Sequence, residues 1–224
     1  MVTTRKRTYA LLCATLAGSL MLAVAGCSRE EDGNDKAPDV SMTADKLCGG
    51  GAVNKSGAEA LEVITGDTRF QDSGKELTVG AAARELTRTA VSTSQGKGDI
   101  CRVYPNIGSY DDGLRVTWEM SGSAPRGIAA SKFTLLTMGE EAATAHDAAY
   151  VTFACGHKDR PNTAPDHVST WVEDTKVTVP DENERALENA YATLAHSFAL
   201  AMAKELDCDD GGGLKPEPAL IPAP

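Results

Sequence analysis

Basic patches, clustered cysteines and a second long apolar run are all missing from this 224-residue chain. Lys and Arg number 22 against 32 Asp and Glu, a formal net charge of −10. A body of that sign repels phosphates, and no basic run interleaved with aromatics offsets it, so nucleic acid is excluded as a partner. None of the six cysteines lies in a C-x-x-C or at another short ligand spacing, which argues against zinc.

The spellings of common catalysts are missing too. There is no G-x-S-x-G, P-loop, G-x-G-x-x-G or H-E-x-x-H. Ser94-Gln95-Gly96-Lys97 reads S-x-x-K but lacks the S-D-N and K-T-G companions. Asp207–Gly211 echoes a calcium loop, yet Pro218 stands where the closing Glu belongs. No catalytic residue, metal or cofactor is expected on this reading.

What is present begins with an address. Arg5-Lys6-Arg7 precedes an apolar run from Tyr9 to Ala25, and small residues lead into Cys27. The run is about 17 residues, the lower limit for a bilayer core of roughly 30 Å. A basic start, an apolar middle and a small-residue exit describe a secretory signal peptide. Val24-Ala25-Gly26-Cys27 looks like a bacterial lipobox, which implies cleavage before Cys27 and a diacylglycerol on its sulfur. Several acyl chains on one residue anchor stably where a single chain does not. Residues 1–26 are therefore expected to be a signal peptide. The expected location is the outer face of the cytoplasmic membrane, with the membrane a partner through the lipid on Cys27. The basic triplet is not a twin-arginine pair, so general secretion is the expected route. Losing residues 1–26, with three basic and no acidic residues, takes the net charge from −10 to −13.

With Cys13 in the signal and Cys27 lipidated, Cys48, Cys101, Cys155 and Cys208 remain, at gaps of 53, 54 and 53 residues. An even number in an exported chain implies two disulfides. Pairing Cys48–Cys101 and Cys155–Cys208 ties a helix-bearing segment to a neighbouring strand in each case and is preferred. The competing pairing is Cys48–Cys208 with Cys101–Cys155.

Residues 27–45 are polar and Gly/Pro-bearing, as expected of a flexible tether. The expected single domain spans 46–208, and the Gly- and Pro-rich stretch 209–224 is expected to be a disordered tail. Ser56-Gly57-Ala58-Glu59 predicts a capping box opening one helix, with Gly66 ending it. Thr78 predicts the cap of a second, with Ala82, Ala83, Leu86 and Ala90 on one face. The period then turns to alternation, predicting strands at 99–105, 114–121, 132–138, 148–155 and 167–179. "GEEAATAHDA" between the third and fourth suits an extended hairpin. Leu187, Tyr191, Leu194, Phe198 and Met202 predict a long C-terminal amphipathic helix. The expected class is α+β, with a largely antiparallel sheet of about five strands, two N-terminal helices, the long C-terminal helix and two disulfides.

The polar loop holding His157, Asp159, Asp166 and His167 is the one cluster that could supply a base. His146 reads as a turn residue, and His196, opposite the apolar stripe, is expected at the surface. Trp118 and Trp171 are expected in the sheet core.

Cys48-Gly49-Gly50, Arg69-Phe70, Cys101 at a strand start, "FACG" at 153–156 and "AMAKELDC" at 201–208 resemble small actinobacterial cell-envelope lipoproteins of uncharacterised function. The resemblance covers most of residues 46–208. It supports the address and the two disulfides, and it carries over no catalytic residue. The expected function is a non-catalytic, membrane-anchored binding module for an envelope protein or a small ligand. The alternatives are an envelope hydrolase or metal-dependent enzyme using the His157–His167 loop, and a solute-binding component of a transporter.

Overall fold

A computed structural model describes residues 41–106, 113–125, 131–156, 164–175 and 183–224. Cys27, most of the expected tether, His157 and Asp159 lie outside the described residues.

The chain opens with a 3-10 turn, Ala44–Gly49, and then α1, Lys55–Thr65. The cap of α1 is Asn54, whose side-chain oxygen accepts from Gly57 N at 2.8 Å, and not the expected Ser56. Ser56 sits inside the first turn and donates its hydroxyl back to Asn54 Oδ1. Gly66 ends the helix at φ 73°, a left-handed conformation that suits a residue without Cβ. α2, Val79–Ala90, starts at Thr78 as expected, with Thr78 Oγ1 accepting from Ala81 N. Its apolar stripe Val79, Ala82, Ala83 and Leu86 is buried.

Among the described residues the sheet has seven strands rather than five, all paired antiparallel in the order β1-β2-β3-β7-β6-β5-β4. Their ranges are β1 Phe70–Asp72, β2 Gly96–Pro105, β3 Leu114–Ser121, β4 Thr134–Leu136, β5 Glu141–Thr144, β6 Ala148–Cys155 and β7 Asp166–Asp174. β1 escaped the sequence reading because three residues are too few to display alternation. The expected hairpin in 139–147 is formed by β5 turning into β6, with His146 in the turn.

α3, Glu184–Glu205, crosses the middle of the sheet. Thr144 on β5 donates to Glu188 O and Thr170 on β7 donates to Ala195 O, fixing both strands to its backbone. α1 lies against α3 and is held there by Ser197. Its hydroxyl accepts from Asn54 N and donates to Ala52 O. The core lies between this helical layer and one sheet face: Val116, Trp118, Phe153, Val168, Leu194 and Phe198 are all essentially inaccessible. Trp118 is in the core as expected; its indole lies over Gly98, where any Cβ would stand 2.7 Å from Nε1.

Two disulfides staple the fold, Cys48–Cys101 from the first 3-10 turn to β2, and Cys155–Cys208 from the end of β6 to the exit of α3. In the chain-entropy account, each closes a loop of about 54 residues and stabilises by roughly 4 kcal/mol. Cross-links of this kind belong to an oxidising, extracytoplasmic compartment.

The last sixteen residues are ordered, which corrects the expectation of a disordered tail. Asp209–Gly213 forms a second 3-10 turn, with Gly212 packed on the Phe153 ring. Residues 221–223 then join the free edge of β4: Thr137 N donates to Ile221 O and Ala223 N to Leu135 O. Pro222 fits because a proline without an N–H is tolerated on an edge. On the opposite edge, Met42 and Phe70 exchange both backbone hydrogen bonds. The tail also explains a second correction. His196 is 1% exposed, not at the surface, because the chain around Lys215 and Glu217 passes over that side of α3. Burial lowers the imidazole pKa, against a backbone hydrogen bond to Lys215 and the Glu217 charge.

Candidate functional site

Strand alternation sends every second side chain to the face on which, among the described residues, no helix packs. On β3 these are Arg115, Thr117, Glu119 and Ser121, and on β7 they are His167, Ser169, Trp171 and Glu173. Register aligns them in cross-strand rows. Thr117, Trp171 and Tyr150 stand side by side in one row. Glu119, Ser169, Thr152 and Glu141 form the next, running across β3, β7, β6 and β5.

The first row builds an aromatic wall. Tyr150 and Trp171 stack with centroids 4.3 Å apart and planes 28° from parallel. Phe133, entering from the β4 side, meets both edge-on at 5.9 and 6.2 Å. Such stacked and edge-to-face pairs each contribute about 0.5–1.5 kcal/mol beyond their buried area. Lys132 is placed near the Phe133 ring and bonds both oxygens of Asp147. Trp171 is half-buried on this uncovered face, not in the core as expected. Its Nε1 is shielded from solvent and has no hydrogen-bond partner among the described residues.

The second row is polar. Thr152 and Ser169 share a hydroxyl–hydroxyl bond of 2.7 Å. Tyr150 donates its hydroxyl to Glu141 Oε1 at 2.7 Å. Burial first, then that bond and the carboxylate charge, raise the phenol pKa well above its ordinary value, so the hydroxyl stays a donor. Wall and row enclose a hollow of about 350 Å³. A second hollow of about 370 Å³ adjoins it toward β2, sharing Trp171 and Glu119. There Arg115 and Asp99 form an ion pair at 2.7 Å.

Of the polar loop weighed as a possible source of a base, the described part separates. Asp166 opens β7 opposite Cys155. His167 points to the uncovered face, where its Nδ1 lies 2.6 Å from Glu140 Oε2. The carboxylate partner is thus Glu140, 27 residues upstream and brought in by strand pairing, a link that no local spacing advertises. Among the described residues no group of three or more His, Cys, Asp or Glu side chains converges as a metal site would.

The fold and this face together define a disulfide-stapled α+β domain with one sheet face covered by helices and the other lined by aromatics and carboxylates. No family model matches the chain, and no curated protein or solved structure is detectably similar to it.

Proposed function

We propose that this protein is a membrane-anchored extracytoplasmic lipoprotein that binds a small ligand, without turning it over, on the uncovered face of its sheet. It belongs on this reading with the small actinobacterial cell-envelope lipoproteins that its sequence resembles, held by lipid on Cys27 at the outer face of the cytoplasmic membrane. One observation carries the binding reading: three aromatic rings and a polar cross-strand row surround a hollow of about 350 Å³ on the side of the sheet away from the core. Sites for small ligands combine apolar walls with a few placed polar groups in this way. The two tryptophans divide the labour: Trp118 supports the core, and Trp171 faces the hollow.

A thermal-shift screen of envelope-derived small molecules tests this reading. Ligands that raise the Tm of the wild type but not of Trp171→Ala are expected. A screen in which every hit shifts both proteins equally would remove the face from consideration. The anchor is tested separately: Cys27→Ala is expected to abolish acylation and signal cleavage, and normal processing without an acyl mass would refute it.

The hydrolase reading rests on the short contact between His167 and Glu140, the pairing that orients a catalytic imidazole. It is the second choice, since no activated nucleophile accompanies that pair among the described residues.

A further inference from the structure

We infer that the ligand of the hollow beside Trp171 is an elongated organic cation, a linear polyamine with ammonium groups toward both ends. This rests on the binding reading above and adds the chemistry of what is bound. Lining decides the sign of the charge. Glu119 and Glu141 line the hollow, and no Lys or Arg does among the described residues. The side-chain oxygens between them, on Ser169 and Thr152, are hydroxyls that can accept. Among the described residues an anion would meet two carboxylates and no compensating cation, at a desolvation cost that nothing there repays.

Shape decides against a metal ion. Glu119 and Glu141 stand three strand spacings apart in one row, about 14 Å at the backbone. Hard divalent cations need several oxygens within about 2.6 Å, which these two carboxylates cannot converge to give. A chain-like ligand with separated positive ends matches them. Its methylenes then lie along the rings of Trp171, Tyr150 and Phe133, and its ammonium groups gain cation–π attraction, strongest at Trp. Tyr150 holds Glu141 through one oxygen and leaves the other for the ligand. Lys97, opposite Glu119 on β2, stands on the side of the neighbouring hollow and does not line this one.

The test is calorimetric titration of the full chain in mild detergent with spermidine, and in parallel with the uncharged oligosaccharide cellotriose. One spermidine per chain is expected, with affinity falling as salt rises. Glu119→Gln and Glu141→Gln should each weaken it by about tenfold or more, the loss of one charge-assisted hydrogen bond. Both variants should keep the wild-type Tm, because Gln retains the oxygen that accepts from Tyr150. Spermidine that fails to bind at millimolar concentration, or that binds both Gln variants as well as the wild type, overturns the inference. Cellotriose bound in its place, with loss in Trp171→Ala, also overturns it, since sugar rings stack on an aromatic face such as that of Trp171. That last result leaves the face standing as a binding site, so ligand class and site fail separately.

Discussion

The two faces of this sheet are built from the same strands and do opposite things. On the covered face, Val116, Trp118, Phe153 and Val168 are buried in the core, and even the polar Thr144 and Thr170 spend their hydroxyls on α3 carbonyls. On the uncovered face, side chains one residue away are mostly aromatic, hydroxylic or charged, and many are partnered with one another. The side-chain period of two lets one strand serve a core and a site at once. Burial on one side supplies stability, which leaves the other free to be chosen for chemistry.

Substitutions should separate the two roles. The largest expected effect is Phe153→Ala, which removes a ring packed between the sheet and Gly212. It should cost about 3–5 kcal/mol in denaturant unfolding. Trp171→Ala, directed at the opposite face, should cost less, about 2–3 kcal/mol, from a partly exposed ring and its contacts with Tyr150 and Phe133. A Trp171 cost equal to that of Phe153 would collapse the distinction between the faces. The smallest effect is a pH slope on the covered side. Burial lowers the pKa of His196 in the fold, while the unfolded imidazole protonates near its usual value of about 6.5. Protons taken up by the unfolded chain alone make this contribution complete above that pH and lost progressively below it. Tm measured against pH should therefore fall below about 6.5, and His196→Gln should flatten that fall. An unchanged slope would show that the tail does not seal the ring.

The covered face was the readable one. β3 and β6 match the strands predicted from alternation residue for residue, and the stripe Tyr191, Leu194, Phe198 and Met202 is buried as its spacing required. The preferred cysteine pairing is the one formed. The misreadings share a cause, which is covering or pairing by distant segments. His196 sits on the correct side of its helix for exposure, and the tail buries it. Trp171 has the composition of a core residue, but its register puts it on the face without helices. The row from Glu119 to Glu141 draws on four strands spread over more than fifty residues, so only the sheet order reveals it. Alternation says which residues share a face of one strand; it does not say which strands are neighbours.

The closed edges of the sheet carry a consequence for how anything can dock here. β1 and β4 are three residues each, and the segments at Met42 and at residues 221–223 take up backbone groups that they would otherwise offer. A visiting peptide that binds by β-augmentation needs an unpaired edge on which to lay its own strand. At Phe70 and along β4 that place is already occupied by the chain itself. There, recognition falls to side chains presented on a face, which can be altered one residue at a time without touching the ladder beneath them.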